Sequence, residues 1–263
     1  MQTRTDKHIK GIDVSRHQGA IDWMAMRAAG VQFVYIKATE GVTYIDMKLK
    51  EHYSGARRAG LRIGFYHYAR PYNDPRKEVE NLLKATKDLP HDLPFALDIE
   101  TNEGKYNREQ ITFFSKKWLE EIERLTGETP IVYTYTHFAK SYLGPELRPW
   151  PVWIAHYGVK TPGDNGVWGN WAAFQYTSDN DGLPYNGRLD VNVMEPDFFA
   201  NWNAKQLPAV EGACGVLLNG ERIGGGYIIE ARAHVPIRLI AELFGAEVGW
   251  DGANVVLTTK GAK

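Results

Sequence analysis

What most narrows the fold of this chain is a regular alternation along its first 200 residues. Short β-rich runs recur at HIKGIDVS (8–15), QFVYIKA (32–38), RIGFYHYA (62–69), PFALDIE (94–100), PIVYTYT (130–136), PVWIAHY (151–157), WAAFQYT (171–177) and LDVNVM (189–194). Between the first five lie amphipathic stretches at 22–29, 47–59, 74–87 and 107–125. Strand followed by helix, repeated, is the pattern of parallel strands covered by helices. The last of these helices is the clearest, because Ile111, Phe114, Trp118, Ile122 and Leu125 recur at intervals of three or four. Asn107 and the pair Glu109 and Gln110 supply capping chemistry at its start, and Gly127 followed by Pro130 ends it. Eight strand candidates point to a barrel of the (β/α)8 kind, whose sites gather at the C-terminal strand ends. After Tyr157 the chain is rich in Gly, Asn and Asp and offers no helix until PDFFANW (196–202). The expected fold class is therefore α/β: an irregular (β/α) barrel of eight strands with fewer helices, plus a small α+β C-terminal domain. Periodicity alone does not distinguish this barrel from an open doubly wound sheet.

Composition sets the expected boundary. Residues 1–206 hold 29 of the Trp, Tyr and Phe residues and residues 207–263 only 3, so the two parts are read as separate domains, 1–206 and 207–263. In the second, Asn219-Gly220 between apolar runs signals a hairpin. VPIRLIAELFGA (235–246) reads as a helix with Pro near its start and Gly near its end, and a second hairpin is expected to turn at Asp251-Gly252.

Global charge excludes some partners. Lys and Arg total 31 against 32 Asp and Glu, a net charge of −1, which gives no support to nucleic acid or an anionic membrane as a partner. No apolar run approaches the roughly 18 residues of a membrane span, so membrane insertion is not expected. Cys214 is the single cysteine, which excludes an intramolecular disulfide. The N-terminal sequence carries no visible secretory signal, so synthesis in the cytoplasm is expected.

The sharpest chemical signal is FALDIE, a strand with Asp98 and Glu100 two apart. Such side chains share a face, their Cα atoms about 6.6 Å apart. Acetal hydrolysis needs a proton donor with a raised pKa and an ionised partner for the cationic transition state. An isolated D-x-E is more often a solvated pair at the start of a loop. Here Asp13 ends the first strand and Asp190 opens the last, and barrel closure makes those strands neighbours. Four converging acids raise the pKa of whichever is most buried. Lys37 and Glu40 lie at the end of the second strand, with an ion pair or a loop brace as their plainer roles. His67 marks the end of the third and reads equally as a satisfied core histidine; alternation points it away from Tyr66 and Tyr68, so it ranks below them. Tyr66, Tyr68, Tyr133, Trp153, Tyr157 and Tyr176 fall near C-terminal strand ends, where a barrel gathers its site, although alternation turns some of them into the core.

The segments GIDVSRHQG, YIKATEG, GFYHYARP, ALDIE, WIAHY and FQYTS, in this order and spacing, resemble glycoside hydrolase family 25, the Chalaropsis-type lysozymes, from about Ile9 to Phe199. The resemblance implies an irregular eight-stranded barrel and cleavage of the β-1,4 bond between N-acetylmuramic acid and N-acetylglucosamine in peptidoglycan, with no cofactor and no metal. By position it implies Glu100 as general acid, Asp98 as partner carboxylate, and Asp13 and Asp190 as further acids of the cleft. Whether Asp98 attacks the anomeric carbon or steadies the substrate's 2-acetamido group stays open in the sequence; acetamido participation with retention is favoured. The tail segments VLLNGERI, ARAHVPIRLIAELFGAEVGWD and NVVLT resemble the small domain named after the N-terminal region of copper amine oxidases. Copper does not follow, since only His234 and Cys214 there are soft or borderline ligands. That domain is read as a wall-binding module or as a packing and dimerisation module, which leaves the oligomeric state open. Action on the bacterial wall after endolysin-like release or secretion is expected. Two other classes stay in view, a catalytically silent wall-binding protein and a metal-dependent barrel hydrolase using Asp13, His67, Asp98 and Asp190.

Overall fold

The computed structural model describes residues 1–206, 210–218, 221–229, 232–234, 241, 246–250 and 255–259. The chain forms two compact units, Met1–Asn203 and Ala204–Lys263.

The first unit is an eight-stranded barrel. Its strands are β1 (Ile9–Val14), β2 (Phe33–Glu40), β4 (Arg62–Tyr68), β5 (Ala96–Asp98), β6 (Ile131–Tyr135), β7 (Val152–Ala155), β8 (Ala173–Thr177) and β9 (Asp190–Met194). They run in the order β1-β9-β8-β7-β6-β5-β4-β2, and β2 closes the ring on β1. A two-residue strand, β3 (Tyr44–Ile45), adds to the end of β2. All eight expected strands are present, and the ring closes, which removes the open-sheet alternative. Seven of the eight run parallel; β9 lies antiparallel to both β1 and β8. The reversal follows from the connection. Residues 178–189 contain only a 3-10 turn, Asn180–Gly182, and this short loop returns the chain antiparallel, whereas the longer helix-free connection 156–172 crosses over to bring β8 parallel to β7.

Helices α1 (Trp23–Ala28), α2 (Leu49–Arg58), α3 (Pro75–Thr86) and α4 (Arg108–Thr126) occupy the expected positions. Asp22 caps α1, Asp74 caps α3, and Asn107 with Gln110 forms a reciprocal capping box on α4. Gly127, at φ 73°, ends α4 in the left-handed conformation. Ile111, Phe114, Trp118 and Ile122 are buried, but Leu125, in the final turn, is exposed. The alternation gave no sign of α5 (Thr136–Tyr142), a helix of under two turns that starts directly from β6 and buries only Phe138 and Ala139. α6 (Pro196–Gln206) contains the PDFFANW segment.

Two cores result. Outward-facing strand residues pack with the helices in the larger one. The smaller fills the barrel and is built from rings: Tyr35 stacks on Trp153 at 4.7 Å, and Tyr133 meets Trp153 edge-on at 4.6 Å. Phe198 and Phe199 of α6 pack against this cluster from the end where β1 and β2 begin. Glycines on neighbouring strands make room for the rings. A Cβ on Gly11 would lie 2.3 Å from the Phe33 ring, and one on Gly64 would lie 2.4 Å from the Tyr35 ring.

In the second unit β10 (Val210–Leu218), β11 (Glu221–Ile229) and β12 (Arg232–His234) form an antiparallel sheet, and β13 (Ala246–Trp250) pairs antiparallel with β14 (Val255–Thr259). Both expected strand pairs are present. The Asn219-Gly220 and Asp251-Gly252 turns, and all of the expected helix over 235–246 except Ala241 and Ala246, lie outside the described residues.

Gly64→Ala forces a methyl group into a fully buried ring, and overpacking of this kind costs about 1–3 kcal/mol. Thermal unfolding of this variant is expected to show a midpoint lowered by several degrees, with the same midpoint as the parent counting against the ring-and-glycine account.

Candidate active site

At the C-terminal end of the parallel strands, the alternation of β1 turns Asp13 inward while Ile12 and Val14 enter the outer core. Asp190, the first residue of β9, sits directly opposite Asp13 in the antiparallel ladder. Asp98 ends β5, with Tyr68 of β4 and Tyr133 of β6 as its register partners. Ile99 is fully buried on the opposite face, so Glu100 returns to the side of Asp98. All four acids line one cavity of about 310 Å³, together with Lys37, Tyr66, Tyr68, Tyr133 and Trp153.

The deepest acids are Asp13 and Asp98, 7% and 5% exposed. Asp13 Oδ2 accepts hydrogen bonds from Gln175 Nε2 at 2.7 Å and Asn192 Nδ2 at 2.8 Å. Asn192 Oδ1 accepts from the Trp153 indole at 2.8 Å. Gln175 Oε1 accepts from the hydroxyls of Tyr133 at 2.9 Å and Tyr157 at 2.8 Å. Asp98 Oδ1 is buried and accepts no hydrogen bond within the described residues.

Crowding and burial shift every acid upward. Burial, followed by the charge of Asp190, holds Asp13 well above the usual carboxylate range, against the two amide donors. Asp98 is raised well above that range by burial and then by Glu100, with Lys37 opposing. Glu100 is raised by burial and by Asp190, and Asp190 by burial. Burial also pushes the Tyr68 hydroxyl up to about 12 and those of Tyr66 and Tyr133 well above 10, so these phenols keep their protons.

A bulge between Lys37 and Thr39 in β2 shapes the rim. Lys37 faces the cavity, its ammonium 4.6 Å from the centre of the Tyr68 ring and 2.7 Å from Glu40 Oε2. Arg70 binds Glu40 Oε1 at 2.6 Å, also pairs with Glu103, and covers the Tyr68 ring at 4.9 Å. Beyond the bulge Thr39 and His67 turn outward. His67 is fully buried between Thr39 Oγ1 at 2.7 Å and Glu78 Oε2 at 2.8 Å, and stacks on Trp118. It is a satisfied core histidine.

A second cavity, about 540 Å³, adjoins the first. Glu100 and Tyr133 line both; Tyr135, Tyr157, His137, His156 and Lys140 lie only along the second.

Two expected site residues lie elsewhere. Tyr176 is turned out of the barrel by the plain alternation of β8, in which Ala173 and Gln175 face inward and Phe174 and Tyr176 enter the outer core. Its ring carries Arg4 at 3.7 Å and its hydroxyl donates to Asp181 at 2.6 Å. Glu40 does not line the cavity and stands behind Lys37 as its ion-pair partner. Sequence reasoning passed over Gln175 and Asn192. Their signal is a lone amide at an inward position of an otherwise apolar strand, in AFQYT and DVNVM.

Residues 12–182 match the family of Glycosyl hydrolases family 25. The chain belongs to that family. It is similar to the autolytic lysozyme of Clostridium acetobutylicum, 39% identical over 184 residues, which cover 70% of this chain and 55% of that one. Lysozyme M1 of Streptomyces globisporus is 30% identical over 197 residues, 70% of this chain and 67% of that one. The crystal structure of the bacterial lysozyme from Streptomyces coelicolor superposes with a TM-score of 0.69 at 26% identity, covering 76% of this chain and 99% of that one. The chain thus spans little more than half the length of the clostridial relative. Family and fold together place its first unit among the proteins of glycosyl hydrolases family 25.

Raised carboxyl pKa values carry a definite sign. A folded state that holds its acids protonated binds more protons than the unfolded chain, so stability falls as pH rises from the ordinary carboxylate value, about 4, towards the raised value of each group. Glu100→Gln removes one such group. Its melting temperature is expected to equal the parent's below that window and to exceed it at neutral pH; a lower value at neutral pH would contradict the assigned shift.

Proposed function

We propose that the chain is an N-acetylmuramidase that cleaves the β-1,4 bond between N-acetylmuramic acid and N-acetylglucosamine. The observation that carries this reading is the position of Glu100, a partly buried acid with a raised pKa on the wall shared by two adjoining cavities. A polymer crossing that wall lays one sugar on each side, with the bridging oxygen beside the acid. The lysozymes to which the chain is similar support peptidoglycan as the polymer and the bacterial wall as the place of action.

In this mechanism Glu100 donates its proton to the leaving oxygen as the bond to the anomeric carbon breaks. The substrate's own acetamido oxygen forms the replacing bond from the opposite face. The free Asp98 Oδ1 accepts the acetamido N–H and stabilises the positive charge that develops there. Glu100, now a carboxylate, takes a proton from water, which opens the intermediate with net retention. This division of labour needs Asp98 ionised; Lys37 favours that form against the net upward shift that burial and Glu100 impose on Asp98. Asp13 and Asp190 supply the negative field around the cationic centre. Tyr66, Tyr68, Tyr133, Trp153 and Tyr157 offer the walls and hydroxyls for the sugars. The unit from Ala204 onward is proposed as an accessory module, for which wall attachment, adding avidity, and packing or dimerisation both remain readings.

Digestion of purified peptidoglycan is expected to release muropeptides with reducing muramic acid ends by mass spectrometry; reducing glucosamine ends or cleaved peptides would overturn the reading. Glu100→Gln should lower kcat by about 10²–10⁴, the worth of a positioned general acid. Among the described residues no group of His, Cys, Asp and Glu is arranged to hold a metal ion. Turnover unaffected by EDTA is therefore expected, whereas its abolition would favour the metal-dependent alternative.

A further inference from the structure

We infer that Gln175 is a positioning residue for this reaction, one that holds Asp13 in place and makes the Tyr133 and Tyr157 hydroxyls hydrogen-bond acceptors toward the substrate. The inference rests on the muramidase reading above and extends it to a residue that does not itself act on the sugar.

The argument begins at Trp153. An indole N–H only donates, so its bond to Asn192 Oδ1 fixes which way the Asn192 amide points. Asn192 Nδ2 then faces Asp13 Oδ2, which acts as an acceptor. Gln175 Nε2 reaches the same oxygen from the other side. With its nitrogen committed, Gln175 offers only Oε1 to the tyrosines, and both hydroxyls lie within 2.9 Å of it. Two phenol protons fill its two lone pairs. Tyr157 has a second acceptor, Asp190 Oδ1, at the longer distance of 3.4 Å. Donors therefore run from the indole and from two phenols, through two amides, to one carboxylate oxygen.

The consequence for recognition is one of polarity. A phenol has a single proton, and here it is spent inward. The oxygen atoms of Tyr133 and Tyr157 present lone pairs to the cavities, so the substrate group that meets them must bring a hydrogen, as a sugar hydroxyl or an amide N–H does. Gln175 is 2% exposed and Asn192 fully buried, so water does not substitute for either amide. An apolar residue at 175 would leave the Tyr133 proton free to turn outward and the Tyr157 proton with Asp190 as its remaining acceptor.

Test variants are Gln175→Glu and Gln175→Met, with kcat and KM measured against pH on peptidoglycan. The ionisable groups facing Asp13, phenols aside, are Asp190 from β9, Asp98 and Glu100 from β5 and its extension, Lys37 from β2, and His17 beyond β1. The titratable phenols there are Tyr66, Tyr68 and Tyr133, with Tyr157 joined to Asp13 through Gln175. Gln175→Glu keeps an acceptor for the tyrosines and adds an acid against Asp13. Both limbs of its kcat/KM profile are expected to move to higher pH, with KM near the parent's. Gln175→Met loses both functions, so KM is expected to rise about tenfold, the order of one hydrogen bond lost, with the profile displaced as well. Tyr133→Phe leaves the Gln175–Asp13 bond intact and removes a hydroxyl bonded only to Gln175, so KM should rise without movement of the profile. A purely structural amide would lower melting temperature and leave pH profile and KM unchanged in every folded variant, and that result overturns the inference. An inactive parent overturns the muramidase reading and this inference with it; an active parent with unmoved variants overturns this inference alone.

Discussion

The site depends on one strand running against the rest. β9 is antiparallel to β1, so its first residue meets the end of β1 and Asp190 comes to lie opposite Asp13. In a regular parallel barrel the start of the last strand would sit at the other end, and Asp190 would be a strand's length from Asp98 and Glu100. Replacing a helical crossover with a loop is thus a functional feature of this fold. It exchanges part of the helix layer for a fourth acid at the cleft.

The reversal also explains why the cavity is electrostatically strained. Four carboxyl groups, drawn from β1, β5 and β9, share a small volume that Lys37 alone among the lining residues offsets with a permanent positive charge. Each acid is shifted upward, and the shifts differ in kind: Asp13 is held by two amide donors, while Asp98 keeps an oxygen free. That difference is what assigns separate tasks to groups that a sequence writes with the same letters.

Much of the barrel was legible in the sequence. Strands announced themselves through β-branched and aromatic runs, and α4 through its buried stripe and caps. The direction of β9 was not, because it depends on the path of a loop rather than on strand periodicity. The acid quartet was readable as a set of strand-end positions. Its neighbours were less so, since inward and outward faces alternate and a single bulge reverses the count. Tyr176 was expected at the cleft, but Gln175, one residue earlier, holds the inward face of β8, a phase that the aromatic alone does not reveal. Lys37 and Glu40 illustrate the same limit: the bulge in β2 gives the cavity to one and the rim to the other. α5 escaped notice because two buried residues make no period.

The rings inside the barrel have a further bearing on how a sugar is received. Trp153 is wedged between Tyr35 and Tyr133, Phe33 and Tyr35 fit against glycines, and α6 closes the cluster from below. Close packing of this kind yields little. The base of the cleft is therefore an anvil: adjustment on binding falls to the rim side chains and to the ligand itself.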